Sequence, residues 1–410
     1  MDCIRVIADT QSNSLFRGSR LEQSYDQRGG LCQVGADDVV ITTDPISPEY
    51  LDYWKGLGFE LPHLIVAGPY HPDMTLSELI MSKFEVQQQI VEHVCGRPTR
   101  LEFFWISGAE QELAKTLDIQ PYCNFSVVIN LARKPVFKHL FDQLGLPTPP
   151  WSTCRSLDEL YKIGFGLLRQ GKSFFVKSEE GTGGIACKGM YLIRCMKDLD
   201  QITGDIVFLG DEFIVEELID SPFTVSIHWE IDFDLQFNFL GLFDQHAQNY
   251  GYSGGAWPSD ASGATEQVIL HELYQVLCPW LIQNRVIGYG TCDILVDLDG
   301  KHYWTDLNPR KGALIYVRDM VQRLQQILDP FVSPWSFMHK HVQLPERELP
   351  YSFCDILVKL GSLVSTRQES FVVVTNPGVI PYGYTDITAI STASKQKASE
   401  CLQQALEHLG

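Results

Sequence analysis

No run of apolar residues in this chain approaches the ~18 needed to cross a bilayer, so no membrane partner is expected. The first ten residues, Met-Asp-Cys-Ile-Arg-Val-Ile-Ala-Asp-Thr, hold no long apolar stretch, so no signal peptide is expected either. None of the 11 cysteines forms a C-x-x-C pair, which suggests neither a zinc site nor a disulfide framework. Reduced thiols and a cytoplasmic setting are the expectation. In that compartment the glycosylation pattern Asn124-Phe125-Ser126 is a chance match. Positive charge is scarce: 32 Lys and Arg face 51 Asp and Glu, for a net charge of −19. That balance argues against nucleic acid and anionic membranes, which need a basic patch, but leaves room for a locally basic pocket. No G-x-G-x-x-G follows any candidate strand of the first 132 residues, so dinucleotide binding has little support.

What remains is an ordinary globular composition, 45% hydrophobic and 20% charged over 410 residues. That length suits two to four compact units. Over residues 1–132, strand candidates at 38–42, 63–67, 101–106 and 125–129 alternate with helical stretches after Pro48 and over Thr75–Cys95. Such alternation predicts a parallel α/β layer, read here as a scaffold. Lys134-Pro135 opens a helix that Gly145 closes, and Leu-Pro-Thr-Pro-Pro (146–150) makes a rigid exit. Ser156 and Glu159 read as a capping box.

Three stretches carry candidate chemistry. Gly166-Leu-Leu-Arg-Gln-Gly171-Lys172-Ser173 matches the P-loop letter for letter. A P-loop must follow a strand and open a helix, and here the order is reversed, so the match is rejected. Phe174–Lys177 reads as a strand ending in a lysine, followed by a loop containing Gly181, Thr182, Gly183 and Gly184 and then a second strand, 190–193. A glycine-rich hairpin loop can fold its amides over phosphates; a plain flexible hairpin is the alternative. Phe213–Ile219 reads as a strand running into a bend at Glu216, Glu217, Leu218 and Ile219. Such a hinge could hold a purine, with acids for ribose hydroxyls; an edge strand with solvated acids is the alternative.

The strongest stretch is 286–312. Asp299-Gly300 between two β-rich runs predicts a two-residue hairpin turn. Leu298 then faces Lys301, Asp293 lies opposite Asp306, and Asn308 shares the face of Asp306. Two carboxylates facing each other at roughly 5 Å repel. A divalent cation relieves that repulsion, and Mg²⁺ favours one or two carboxylates plus phosphate oxygens and water. Arg310, just past Pro309, is a candidate anion clamp. A surface hairpin with scattered acids is the alternative. Elsewhere, Gln245–Gly263 is long and rich in Gly, Ser and Tyr, and reads as a lid or a disordered segment. Thr265–Arg285 reads as a helix kinked before Pro279. Residues 330–350 read as a link carrying solvated His339 and His341, and 371–375 and 394–409 as a closing strand and helix.

In this order, the pieces resemble the ATP-grasp ligases over residues 133–315. Lys134 matches the family's first phosphate lysine, and Lys177 the second. Glu216-Glu-Leu-Ile matches the adenine hinge. Asp293, Asp306 and Asn308 match its metal ligands, and Arg310 an arginine of several branches. More narrowly, the chain looks like the pheganomycin-type peptide ligases. The resemblance implies an ATP-grasp fold of the α/β (α+β) class. It would have a Rossmann-like pre-ATP-grasp domain (1–132), an ATP-grasp core (133–330) holding nucleotide between 133–212 and 213–330, and a small C-terminal α/β domain (331–410). It implies ATP and Mg²⁺, two ions with Mn²⁺ as a substitute. It also implies an ADP-forming carboxylate–amine ligase acting through an acyl phosphate on an amino acid or peptide, with Lys177 and Arg310 as catalytic residues. It is compatible with a homodimer. Three departures stand out, the first being that Asp293 and Asp306 are both Asp rather than Glu, which shortens the reach to the ions. Phe223 occupies the place of a ribose-binding Glu, a role left to Glu217 or Asp220. Thr291 stands where some dipeptide ligases have an arginine, a role left to Arg310. An ATP-grasp member with another acceptor, or a catalytically silent nucleotide-binding regulator, are the competing readings.

Overall fold

The computed structural model describes residues 3–9, 30–179, 189–205, 212–221, 223–261, 263–329, 335–346 and 350–410. The expected phosphate-loop residues Gly181, Thr182, Gly183 and Gly184 lie outside them. The chain divides into two compact units. One comprises Met1–Phe125, Gly254–Pro258 and Arg310–Gly410; the other comprises Ser126–Ser253 and Ser259–Pro309.

The first unit opens with β1 (Ile4–Ile7), β2 (Val39–Thr42), β3 (His63–Val66), β4 (Thr99–Glu102) and β5 (Gln120–Pro121). They form a parallel sheet in the order β3-β2-β1-β4-β5. All four residues of β2 are buried, as expected of a parallel strand covered on both faces. Thr75–Cys95 is two helices rather than one. Leu76–Met81 starts from a Thr75–Glu78 capping box, and extended backbone at Lys83 separates it from Phe84–Val94. Phe125–Ile129 is helical, not a strand: the helix Phe125–Leu131 buries Phe125, Val128 and Leu131 at three-residue spacing. A short apolar run fits a buried helix as well as a strand, and here the longer period wins.

In the second unit, β6 (Trp151–Cys154), β7 (Phe174–Ser178), β8 (Met190–Ile193) and β9 (Phe213–Glu217) form a sheet in the order β6-β9-β7-β8. Phe174, Val176, Phe213 and Val215 pack with Leu160 and Leu199 from the helices Leu157–Arg169 and Met196–Asp205. Alternation then turns Phe175, Lys177 and Glu216 to the opposite face. Only half of the expected capping box forms. Ser156 accepts from the Glu159 N–H, but the Glu159 carboxylate takes the Arg155 N–H instead.

The chain continues with β10 (Phe223–Ile231), β11 (Phe237–Gln248) and β12 (Gly251–Trp257). The expected lid is therefore largely strand. β11 runs to Gln248, and Asn249 and Tyr250, both at positive φ, turn the chain. The segment Gly254–Trp257 pairs with β15 (Ser336–Gln343). Gly254 is required there: a Cβ would meet the His339 carbonyl oxygen at 2.1 Å. A π-helical turn, Leu273–Leu277, precedes Pro279 at the expected break between helices Gly263–Glu272 and Cys278–Gln283. β13 (Gly288–Val296) and β14 (His302–Asn308) complete the second unit, where β14-β13-β10-β11 run side by side.

Back in the first unit, the expected link at 330–350 contains β15, which lies beside β17 (Tyr384–Ser391), with β16 (Ser370–Thr375) beyond. The two histidines are not solvated. His339 is buried with Nδ1 2.9 Å from Thr388 Oγ1, and His341 Nδ1 stands 2.7 Å from Asp386 Oδ1 while its ring stacks on Tyr384. They alternate with Phe337 on one face of a strand, so burial took them together. Among the described residues no helix is long and apolar enough to cross a membrane.

Candidate active site

The helix Lys134–Leu144 has Pro135 in its first turn and Gly145, at φ +70°, as its left-handed cap. Its N-cap, Arg133, offers no side-chain cap, and the Lys134 N–H donates instead to the Glu179 carbonyl at 3.0 Å. Arg133 also ion-pairs with Glu179. The start of this helix is thus tied to the chain just past β7, and both lysines reach one carboxylate. Lys134 Nζ lies 3.3 Å from Asp306 Oδ1, and Lys177 Nζ lies 3.7 Å from Asp306 Oδ2. Lys177 also donates to Glu216 Oε1 at 2.5 Å.

The hairpin pairs Asp293 with Asp306, Cys292 with Leu307 and Thr291 with Asn308, as the sequence predicted. It arrives there by another route. The loop has three residues, Leu298–Gly300, closed by the Asp297 N–H to Lys301 carbonyl bond, with Gly300 at φ +80°. That turn alone would shift the register by one. A bulge between Asp293 and Ile294 restores it, and Trp304, on the bulged stretch, gives its N–H to the Pro147 carbonyl. Asp293 accepts from Ser226 Oγ at 3.1 Å, and Ser226 is itself within 2.9 Å of both His228 Nε2 and Thr291 Oγ1. Asp293 and Asp306 both act electrostatically on Lys177.

Burial alone would push the Lys177 ammonium down, but Glu216 and Asp306 outweigh it and hold its pKa well up. Burial would raise Asp306, yet Lys177, Lys134 and Lys138 hold it well below the usual carboxylate range. Glu216 is likewise held low, chiefly by Lys138 and Lys177 against its own burial. Among the described residues no group of three or more His, Cys, Asp or Glu is gathered for a metal. Two carboxylates on paired positions and the Asn308 amide are what this hairpin offers a cation. A donor set of that kind suits Mg²⁺, which keeps waters and takes phosphate oxygens.

The hinge is partly committed. The Glu217 N–H donates to the Pro150 carbonyl and the Leu218 N–H to the Ser173 carbonyl, both at 2.9 Å. Those two amides are therefore used. The Glu217 carboxylate is held by Lys172 at 2.7 Å. Lys172, the lysine of the P-loop look-alike, thus follows a helix and precedes a strand, and grips the hinge. Arg310 belongs to the other unit, where its guanidinium lies over the Phe104 ring at 4.5 Å.

One residue escaped the sequence reading. Lys138 stands one turn after Lys134, is 1% exposed, and ion-pairs with Glu216 Oε2. Its signal was available: a lysine among the buried Phe137, Leu140 and Phe141 of one helix needs a buried partner.

Residues 30–119 match the pre-ATP-grasp domain family. No curated protein matches the chain by sequence. Among solved structures, the ADP complex of PurK, an N5-carboxyaminoimidazole ribonucleotide synthetase, is similar at a TM-score of 0.63 and 11% identity, covering 100% of this chain and 97% of that one. The Staphylococcus aureus N5-carboxyaminoimidazole synthetase with ADP gives 0.60 and 13%, covering 98% and 96%. The biotin carboxylase domain of Hydrogenobacter thermophilus 2-oxoglutarate carboxylase, with MgADP, ADP and bicarbonate, gives 0.61 and 13%, covering 98% and 89%. The chain therefore has the ATP-grasp fold, with a pre-ATP-grasp domain at residues 30–119.

Proposed function

We propose that this chain is an ATP-dependent, ADP-forming ligase that joins a carboxylate to an amine through an acyl phosphate. The observation that carries the reading is the meeting of Lys134 and Lys177 at Asp306, opposite Asp293. Two cations and two acids converge on one spot from three distant segments. That is a cradle for terminal phosphates rather than a surface ion pair. The similar structures solved with ADP or MgADP support the same reading.

Asp293, Asp306 and Asn308 are the residues that would hold Mg²⁺, or Mn²⁺ in its place, and the ion supplies charge neutralisation at the phosphate oxygens. Lys134 and Lys177 bind phosphate as point charges. The Glu216–Ile219 hinge takes the base, and exclusion of water from the site protects the acyl phosphate. Arg310 steadies the substrate carboxylate and then the oxyanion. The catalytic work is positioning and charge stabilisation. Residues 133–330 form the nucleotide-binding core in this reading. The acid or amine is an amino acid or peptide, in line with the likeness to pheganomycin-type ligases.

Nucleotide product analysis tests the proposal, with the amine present and then omitted, and with hydroxylamine added to trap the activated acid. ADP together with a hydroxamate is expected. AMP and pyrophosphate as main products would overturn the acyl-phosphate route. No turnover across a broad panel of acids and amines would favour a silent nucleotide-binding regulator.

A further inference from the structure

We infer that Lys138 is a positioning residue that frees Lys177 for the nucleotide, an inference that rests on Lys177 serving phosphate as proposed above. Glu216 is 3% exposed and its two oxygens are divided: Oε1 takes Lys177 and Oε2 takes Lys138. Among the described residues Glu216 is the only carboxylate ion-paired with Lys138. Lys138 itself is 1% exposed, and burial pulls its pKa down while Glu216 works the other way. It is too enclosed for a substrate to reach.

The arrangement has a consequence when nucleotide enters. Lys177 must turn from Glu216 toward phosphate. A carboxylate abandoned in the interior is strongly destabilising, so a lone Lys177–Glu216 pair would resist that turn. Lys138 removes the obstacle, because Glu216 keeps a buried cation when Lys177 leaves. The same helix thus contributes twice. Lys134 points one ammonium at Asp306, and Lys138, on the same face one turn later, holds the counter-ion that Lys177 gives up. Without Lys138 the binding-competent position of Lys177 is populated less, and apparent nucleotide affinity falls by that fraction.

Calorimetric titration with MgATP tests this on the full chain, using Lys138→Met, Lys138→Arg, Glu216→Gln and the double variant Lys138→Met/Glu216→Gln. Lys138→Met should weaken MgATP roughly tenfold, the scale of coupling between contacting charges. Lys138→Arg should restore binding to within about threefold. Once Glu216 is neutral, Lys138→Met should have no further effect, so the double variant should bind like Glu216→Gln. A purely structural lysine would instead show the same loss in both backgrounds, with no rescue by arginine. Unchanged affinity in Lys138→Met, or an equal loss in the Glu216→Gln background, overturns the inference while leaving the ligase reading intact. Failure of the unaltered chain to bind MgATP overturns both. Should Lys138→Met alone fail to fold, the double variant, which buries no unpaired charge, and Lys138→Arg carry the comparison.

Discussion

Lys134 Nζ reaches Asp306 Oδ1 at 3.3 Å across 172 positions of sequence. A lysine that neutralises a carboxylate proposed to bind metal holds the place that a cation would take. If Mg²⁺ binds Asp306 with nucleotide, both lysines are released to the phosphates, so ion and lysine exchange partners in one event. Asp306→Asn breaks that exchange. Turnover should fall at least ~100-fold, as for other losses of transition-state electrostatics. ATP with the metal chelated should bind as tightly as in the unaltered chain or more tightly, because the lysines are already free. Equilibrium binding with Mg²⁺ and with chelator measures both arms. An unchanged Mg²⁺ dependence of binding in the variant would remove Asp306 from the metal site.

The two lysines near the glycine loop should behave differently. Lys177→Ala removes the proposed phosphate partner but leaves Glu216 paired with Lys138, so the fold should survive. Nucleotide affinity and turnover should fall together, each at least ~10-fold. Lys172 is 40% exposed and contacts only the Glu217 carboxylate among the described acids. Lys172→Ala should change either quantity less than ~3-fold, as expected of a partly exposed pair. Steady-state kinetics on both variants decides between them. Equal losses would revive the P-loop reading of 166–173.

Much of this site was legible because its chemistry is local in sequence. The Lys177 strand end, the Glu216 hinge and the alternating acids of the hairpin each carry their own signal. The Asp293–Asp306 register was right for a partly wrong reason, since the three-residue loop and the bulge offset one another. No residue type advertises that bulge, beside which the Trp304 backbone N–H bonds to Pro147 far away in the chain. Lys138 falls at no motif position, and its only signal is a charge on an apolar helix face. His339 and His341 were misread because histidines at every second position look solvated until a strand beside them, here β17, supplies Thr388 and Asp386. The glycines of β12 suggested a lid, but at Gly254 the absent side chain makes room for the β15 backbone.

Gly290 offers a test of packing beside the Asp293–Asp306 hairpin. It stands opposite Trp229 in the β10–β13 ladder, and a Cβ there would meet the indole ring at 2.4 Å. Trp229 is buried, so the ring has little room to retreat. Gly290→Ala should destabilise the chain by about 1–3 kcal/mol, the usual scale of overpacking. Urea unfolding followed by tryptophan fluorescence would measure it, and a loss below about 0.5 kcal/mol would mean that the sheet gives way there.

A last prediction concerns pH and lies in the first unit. Asp9 follows β1 and is buried; burial raises its pKa from 3.8 to about 7, even though the Tyr316 hydroxyl donates to it at 3.0 Å and Lys311 acts in the lowering direction. In the unfolded chain this carboxyl ionises near its ordinary value. Between about pH 4 and pH 7 the folded chain therefore binds more protons at this position than the unfolded one, and folding stability falls as pH rises. The contribution is complete above the folded value and absent below the unfolded one. Converted at ~1.4 kcal/mol per unit, the loss is at most roughly 4 kcal/mol. Asp9→Asn keeps the shape, cannot ionise, and can accept from Tyr316. Its stability should change less between pH 4 and 8 than that of the unaltered chain, and the two curves should diverge as pH rises, with the variant the more stable at pH 8. Denaturant midpoints taken across that range give the comparison. Parallel curves would mean that Asp9 is ionised in the folded chain well below pH 7 and that its neighbours, the Tyr316 hydroxyl first and then Lys311, outweigh its burial.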